Sequence, residues 1–272
     1  MGNLNPLNLL NKEAWNAYQE DYFTFHLMER PDYFEFFSGG GVDLDEHLAP
    51  MLGDVKGMKL LDTCCACDAA QAFSWHNLGA VVTACDITEK AIEIAAKNAA
   101  KMNLAVSFAV ADMQTLEPIG DGGYDVVFAT CPVWVQNIEE ACRTWHRVLK
   151  KGGKLLWHME HPITYCIAED KNGLHITGNY NTPNTEIYDS FDGTPLARRH
   201  GGFHVELKTA EHFWRISDIL NAVCGAGFVV AKVHESAVSN PTDMNLDYEP
   251  KDSSEAMEMK NLPSEFTVLA VK

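Results

Sequence analysis

Two apolar runs that each end in an aspartate constrain this chain more than any other feature. The first run ends at Asp62 and the second at Asp86, with a short loop and a helix-length segment between them. A strand, a loop, a helix and a second strand in this order form the repeating unit of parallel, nucleotide-binding sheets. The spacing therefore predicts an α/β fold.

The chemistry of this unit points to an adenosine site with an unusual loop. An acid at the end of the second strand, here Asp86, is placed to accept hydrogen bonds from both ribose hydroxyls. The connecting segment from Cys64 to Asp68 contains no glycine. Glycine normally lets such a loop approach its ligand closely. We therefore expect a departure from the usual ligand contacts at this loop.

The rest of the chain continues the alternation of strands and helices. Strands are predicted over residues 58–63, 81–86, 105–110, 124–129, 154–160, 228–234 and 265–271, and helices over 69–78, 88–102, 138–149 and 215–226. This order predicts a doubly wound, mostly parallel seven-stranded sheet of the Rossmann-like type, with helices on both faces. The last two strands are expected to form an antiparallel hairpin that closes one edge.

Four regions follow from the changes in composition. Residues 1–44 are predicted to form an aromatic helical cap, since Trp15, Tyr18 and Tyr22 recur on one helical face. Residues 45–161 form the predicted cofactor-binding core. The polar residues 162–211 are expected to form an inserted lid of antiparallel strands or loops, with short β-like runs at 174–180, 185–191 and 203–209. Residues 212–272 are expected to complete the core sheet.

Charge and hydropathy narrow the classes of partner. The net charge of −17 disfavours a nucleic-acid partner, because an acidic surface repels phosphates. No run approaches the ~20 apolar residues of a membrane span, and no secretory signal is recognised. We therefore expect a cytoplasmic protein with reduced thiols, no membrane partner and a small-molecule substrate. The oligomeric state is left open.

Several longer motifs resemble one family over residues 45–160 and 212–272. The segments that carry the resemblance are Gly53–Asp62, Leu78–Thr88, Ala111–Met113 and Arg147–Leu155. They are similar to the corresponding segments of class I S-adenosylmethionine-dependent methyltransferases. Glu160-His161-Pro162 and the Trp15-Asn16 pair resemble a small-molecule branch of that family.

The resemblance implies S-adenosylmethionine as the cofactor, with S-adenosylhomocysteine or methylthioadenosine as the product. The residues that it implies for cofactor binding are Asp62, Cys64, Ala66, Asp68, Asp86, Ile87, Asp112, Met113 and Cys131. Asp86 would hold the ribose, and Asp112 the adenine. His161 is a candidate general base, and Trp134 and Tyr22 are candidates for positioning the substrate.

Each of these assignments has a structural alternative. Asp86 is also suited to capping the helix that follows it, and Asp112 to forming a turn. His161 and Trp134 are equally compatible with simple packing. Trp15, Tyr18, Tyr22 and Trp214 form either a cation-binding cage or part of a core. No metal site is predicted, because the C-x-x-C of Cys64 and Cys67 has no second pair of ligands.

Three functions remain open at this point. The first is methyl transfer to a small molecule. The second follows from Cys64, Ala66 and Asp68, which stand where the family usually has glycines. A reshaped methionine pocket would favour use of the aminocarboxypropyl group, by transfer or by cyclisation to an azetidine amino acid, with release of methylthioadenosine. The third is a non-catalytic binding protein on the same fold.

Overall fold

A computed structural model of the chain describes residues 4–130, 132–170, 173–176, 178–182, 185–188, 195–237 and 262–272. The helices are α1 (Pro6–Glu29), α2 (Tyr33–Ser38), α3 (Leu48–Leu52), α4 (Ala70–Asn77), α5 (Glu89–Met102), α6 (Ile138–Val148), α7 (Pro195–Arg199) and α8 (Ile216–Gly225). The strands are β1 (Lys59–Asp62), β2 (Val81–Asp86), β3 (Ser107–Val110), β4 (Tyr124–Ala129), β5 (Leu149–Glu160), β6 (Ile167–Asp170), β7 (Gly173–Ile176), β8 (Thr185–Tyr188), β9 (Thr209–His212), β10 (Val229–Ala237) and β11 (Pro263–Val271).

The central sheet has seven strands in the order β10-β11-β5-β4-β1-β2-β3. The five strands from β3 to β5 pair in parallel, whereas β11 pairs antiparallel with both β5 and β10. This arrangement confirms the predicted mixed sheet and its closing hairpin. The chain order reverses between β1 and β4, so the carboxyl ends of these strands face the crevice where ligands bind in such sheets.

Apolar side chains cover both faces of this sheet. On one face, Trp145 of α6 packs edge-to-face on Trp157 of β5, with ring centroids 5.0 Å apart. On the other face, Trp75 of α4 packs on Phe128 of β4 at 5.5 Å. All four rings are fully buried. Helices on both faces of a parallel sheet are what continuous apolar strands such as β4 require.

Two local predictions need correction. The helix predicted over 138–149 ends at Val148, and Lys150 to Gly153 lie inside β5 instead of ending the helix. Gly152 connects this segment to the sheet, because its amide donates a hydrogen bond to the Lys272 carbonyl. The β-like run predicted at 203–209 is also displaced, since the strand begins at Thr209.

The N-terminal aromatic segment forms two helices, α1 and α2, and α1 lies across the carboxyl edge of the sheet. Two small antiparallel pairs, β6 with β7 and β8 with β9, occur in the insertion. Parts of the predicted runs 174–180 and 185–191 lie outside the described residues. Among the helices that the structure describes, none is long and apolar enough to cross a membrane.

Candidate active site

Three aspartates gather where β1, β2 and β3 end. Asp62 is the last residue of β1, Asp86 is the last residue of β2, and Asp112 follows β3 by two residues. Because the three strands are parallel neighbours, their carboxyl ends meet at one edge of the sheet. All three carboxylates are at most 7% exposed. The structure thus brings together three acids that were predicted to bind one ligand.

Asp86 organises both the first loop and the start of α5. Its Oδ1 accepts hydrogen bonds from the Thr88 amide and hydroxyl, each at 2.8 Å, and its Oδ2 accepts one from the Ala66 amide at 3.2 Å. Thr88 in turn caps α5 by accepting from the Ala91 amide. Burial raises the pKa of Asp86, although its bonds to Thr88 and Ala66 oppose this effect.

Asp62 is the most deeply buried of these acids. Its Oδ1 accepts from the Cys64 amide at 3.2 Å, whereas its buried Oδ2 has no hydrogen-bond partner among the described residues. Burial raises the pKa of Asp62 to about 7, against the bond from Cys64 and with the nearby charges of Asp68 and Asp86 adding to the rise. Such an oxygen is suited to accept a bond from a ligand cation.

The glycine-free loop adopts a backbone that glycine ordinarily provides. Ala66 has φ +53° and Ala69 has φ +48°, both in the left-handed region. The Cys65 amide donates to the Cys85 carbonyl at 2.8 Å, which anchors the loop to the end of β2. The loop therefore keeps a left-handed residue at one of the family's glycine positions, despite the Cβ atom of Ala66.

The cysteines of this loop differ in burial. Cys67 is buried, and its thiol donates to the Gln19 carbonyl at 3.4 Å, while Cys64 is half-buried. Burial raises the pKa values of the Cys65 and Cys67 thiols well above normal, so both remain protonated near neutral pH. This environment favours packing over redox or metal chemistry for these two thiols.

Asp68 ends the loop beneath α1 and α2. Its side chain is 12% exposed, and its Oδ2 lies 3.7 Å from Nε2 of His26 on α1. Its carbonyl accepts a hydrogen bond from the Tyr33 hydroxyl. Asp68 is thus positioned by the helical cap, beside Asp62 and Asp86.

Asp112 is held by a residue that the sequence analysis did not single out. Its Oδ2 accepts from Nδ2 of Asn8 on α1 at 2.7 Å, and its Oδ1 accepts from the Gln114 amide at 2.8 Å. The buried Oδ1 of Asn8 has no hydrogen-bond partner among the described residues. Burial raises the pKa of Asp112, and the bonds from Gln114 and Asn8 oppose the rise. Asn8 could not be found from sequence because 104 residues separate the pair.

Aromatic rings from three segments, one of them α1, pack together. Trp15 makes edge-to-face contacts with Tyr18 (6.0 Å), Tyr22 (5.7 Å) and Trp134 (5.6 Å). Phe203 stacks on Tyr18 at 4.2 Å. The candidates Tyr22 and Trp134 are therefore joined through Trp15. Trp214, also considered for this cluster, packs against His212 with ring centroids 3.8 Å apart and donates to the Val135 carbonyl.

His161 follows β5 at the same edge of the sheet. Its Nε2 lies 2.9 Å from Oε1 of Glu235, and its Nδ1 accepts from the Ile163 amide at 3.1 Å. Burial lowers the pKa of His161, and Glu235 partly offsets this. Both ring nitrogens have partners in this arrangement, so action as a base requires the ring to exchange one of them.

A second acidic group was missed by the sequence analysis. Glu211 of β9 lies opposite Glu186 of β8, and it interacts with Glu160 at the end of β5. Burial raises the pKa of Glu211 to about 7, with the charges of Glu160 and Glu186 adding to the rise. A carboxyl group with this pKa can hold or release a proton near neutral pH. The polar insertion offered no sequence signal for this group.

The other predicted site residues are placed as follows. Ile87 is half-buried directly after β2, and Met113 is 6% exposed with its carbonyl accepting from the Trp145 indole at 2.9 Å. Cys131 lies outside the described residues.

Comparison with known proteins gives this arrangement a family context. Residues 61–157 match the family described as "Methyltransferase domain". An uncharacterised protein of Haemophilus influenzae is 28% identical over 123 residues, which cover 44% of this chain and 48% of that protein. A ubiquinone biosynthesis O-methyltransferase of Caulobacter sp. (strain K31) is 29% identical over 137 residues, covering 50% of this chain and 54% of that enzyme. The chain thus spans about half the length of the curated relatives it matches.

The fold has a close counterpart among solved structures. The crystal structure of an S-adenosylmethionine-dependent methyltransferase from Mesorhizobium loti superposes with a TM-score of 0.62 at 21% identity, covering 83% of this chain and 96% of that one. The residues that match the methyltransferase domain include Asp62 at the end of β1, Asp86 at the end of β2, and Asp112. Residues 61–157 therefore match a methyltransferase domain, and the seven-stranded sheet has the Rossmann-like fold of the superposed methyltransferase.

Proposed function

We propose that this protein transfers a methyl group from S-adenosylmethionine to a small molecule. The observation that carries the proposal is the group of buried acids at the ends of β1, β2 and β3, in a chain whose matched residues are those of a methyltransferase domain. The resemblance to a ubiquinone biosynthesis O-methyltransferase supports a small-molecule acceptor.

The polar atoms at the site fit this cofactor. Asp86 accepts bonds at both oxygens and retains a lone pair on Oδ2 for a ribose hydroxyl. Oδ2 of Asp62 is a buried acceptor without a partner among the described residues, as a ligand ammonium requires. The exocyclic amine of adenine has a comparable acceptor in Oδ1 of Asn8, beside Asp112.

The cofactor supplies an electrophilic methyl group on a sulfonium that leaves as a neutral thioether. The protein then has mainly to hold the reacting atoms in line and to exclude water. In this proposal, α1 covers the site, while Trp15, Tyr22 and Trp134 form an aromatic wall for the acceptor. Glu211 receives a proton at its carboxylate when the acceptor must lose one.

The backbone of the first loop favours methyl transfer over aminocarboxypropyl transfer. The second reaction was considered because Cβ atoms at Cys64 and Ala66 were expected to divert the loop. Ala66 takes the left-handed conformation that glycine would take at that position, which supports an ordinary loop path. A protein on this fold that does not bind the cofactor would leave the buried Oδ2 of Asp62 without a hydrogen-bond partner among the described residues.

The test is turnover of S-adenosylmethionine with identification of the product by mass spectrometry, using small-molecule fractions of a cell extract as acceptors. We expect S-adenosylhomocysteine together with a product heavier by one methylene unit. Methylthioadenosine as the sole nucleoside product would establish the aminocarboxypropyl reaction instead.

Binding of the cofactor is measured separately by calorimetry. Asp86→Ala should weaken it by roughly 1.5–3 kcal/mol, the usual value for hydrogen bonds to a charged group. Asp125→Ala is the matched control, because Asp125 pairs with Lys150 near the start of β4, away from the site. Equal affinity in wild type and Asp86→Ala, with both folded, would contradict the ribose assignment.

A further inference from the structure

We propose that Asp45, His47, His158 and Glu265 bind one divalent transition-metal cation of the zinc type. The sequence offers no spaced ligand motif here, since these residues lie in the segment before α3, in β5 and in β11. The proposal is independent of the methyl-transfer reaction. It concerns a second cluster, built on the β5–β11 side of the sheet.

The three central ligand groups already converge. Each of three residues offers one ligand atom, and these atoms lie within 4.8 Å of one another; the residues are Asp45, His158 and Glu265. Nε2 of His158 is 2.9 Å from Oδ2 of Asp45. In a tetrahedral zinc site with each ligand about 2.1 Å from the ion, the ligand atoms are ~3.4 Å apart. Side-chain adjustments of about 1–1.5 Å therefore bring this set into coordination range.

His47 is the proposed fourth ligand, beside Glu265. Its Nδ1 lies 3.9 Å from Oε2 of Glu265, and its ring centroid is 5.5 Å from that of His158. His234 stacks on the other side of His47 at 4.4 Å and limits movement of the ring. Two imidazoles and two carboxylates form a donor set that suits zinc and its neighbours better than magnesium or calcium.

Thr267 orients both histidine rings toward the proposed site. Its hydroxyl lies 2.8 Å from Nε2 of His47 and 2.9 Å from Nδ1 of His158. Thr267 pairs with His158 in the strand register, so the two side chains share a face of the sheet. A hydroxyl oxygen can accept from two N–H groups at once, which leaves the other nitrogen of each ring available to a metal. Such outer partners commonly fix the tautomer of metal-binding histidines.

Charge and access are also suitable. Two ionised carboxylates carry two negative charges and two neutral imidazoles carry none, so a divalent cation neutralises the set. The side chains of His47 and His158 are each 11% exposed, whereas Glu265 and Asp45 are 24% and 42% exposed. The nitrogen ligands are thus shielded, and the carboxylates provide an entry path from solvent. A bound ion would tie the segment before α3 to β5 and β11.

The test is zinc binding to chelator-treated, full-length protein, measured by calorimetry and by equilibrium dialysis. We expect one ion per chain and a raised midpoint of thermal unfolding when zinc is added, because an ion that binds only the folded state stabilises it. His158→Gln and Glu265→Gln should each weaken binding at least tenfold. Glu46→Gln, which removes a neighbouring charge outside the ligand set, should leave it unchanged.

A second pair of variants tests the proposed site even if His158→Gln does not fold. Thr267→Val removes the orienting hydroxyl and should weaken zinc binding 10- to 100-fold, whereas Thr267→Ser should retain it. Cobalt serves as a spectroscopic probe of the ligands. No saturable zinc binding to wild type, equal binding by Thr267→Val, or a thiolate-to-cobalt charge-transfer band would each overturn the proposal.

Discussion

Ala66 shows how a single residue reconciles the unusual loop with an ordinary fold. An L-residue in the left-handed region costs roughly 1–2 kcal/mol, and glycine avoids this cost. The conformation persists because the Ala66 amide donates to Asp86 and the Cys65 amide donates to the Cys85 carbonyl. Contacts around the loop therefore impose a backbone that the local sequence does not favour.

We predict that Ala66→Gly stabilises the protein by about 0.5 kcal/mol. Relief of the left-handed strain should exceed the ~0.4–1 kcal/mol lost to the greater freedom of glycine in the unfolded chain. Urea unfolding measures the difference. Ala100→Gly on the exposed face of α5 is the control and should destabilise by about 1 kcal/mol. Equal destabilisation by both changes would mean that Ala66 is not strained.

Asp62 should make the stability of the protein depend on pH. Burial raises its pKa in the folded protein to about 7, from an ordinary value of 3.8. Between these two values the folded state holds a proton that the unfolded state has lost. The stability contributed by this proton is fully present below about pH 4 and is lost as the pH rises through about 7. Asp62→Asn should therefore reduce the fall in stability between pH 5 and 8.

The measurement is urea unfolding of both proteins across this range without cofactor. Asp125→Asn is a suitable control. Burial opposes ionisation of Asp125, but its bonds with Lys150 and the Lys59 amide lower its pKa overall. Its contribution is therefore constant from pH 5 to 8, and its removal should not alter the slope. A slope in Asp62→Asn as steep as in wild type would show that Asp62 ionises normally.

At the scale of elements, α1 connects β9 of the insertion with the core sheet. Its Asn8 bonds to Asp112 near β3, and its Asn11 bonds to both the amide and the carbonyl of Ala210 in β9, at 2.7 and 2.8 Å. Lys12 pairs with Glu89 at the start of α5. The helix therefore holds β9 and the ends of β2 and β3 together, over the acids of the proposed cofactor site.

Asn11→Ala should loosen this connection. The change leaves a buried amide and a buried carbonyl of Ala210 without their partner, at a cost of about 1–3 kcal/mol each. Hydrogen exchange measured by mass spectrometry should show faster exchange in α1 and β9, and S-adenosylmethionine should slow it again. Glu13→Ala, on the exposed side of α1, should behave as wild type. Unchanged exchange rates in Asn11→Ala would show that the Asn11 hydrogen bonds do not hold α1 and β9 together.

For the whole molecule, the strand order places several functional groups along one crevice. The reversal between β1 and β4 directs Asp62, Asp86 and Asp112 to one side, and β5 brings His161 and Glu160 to the same edge. The antiparallel hairpin of β10 and β11 extends the sheet beyond β5. Thr267, His158 and His234 lie in one row across these three strands, so the proposed ligand His158 lies beside the hydroxyl that orients it.

The sequence by itself determined the strands, the helices between them and the acids at the strand ends. β2 and β4 have the predicted bounds because a buried parallel strand is a continuous apolar run, whose length is a local property. The predicted start of β5 at residue 154 was wrong, because Lys150 to Gly153 also lie in the strand. Gly152 and Gly153 are hydrogen-bonded there to Lys272, which is distant in sequence.

Only the tertiary structure decided which side chains meet. Asn8 and Asp112 are 104 residues apart, and Asn11 and Ala210 are 199 apart. Glu211 acquires its raised pKa from burial beside Glu160 and Glu186, and Asp45 meets His158 through the packing of a segment that has no repeating pattern. Hydrogen bonds and burial between distant segments depend on strand order and on how α1 docks. The periodicity of the sequence predicts neither the strand order nor the docking of α1. It reflects only contacts within an element and the face that each element buries.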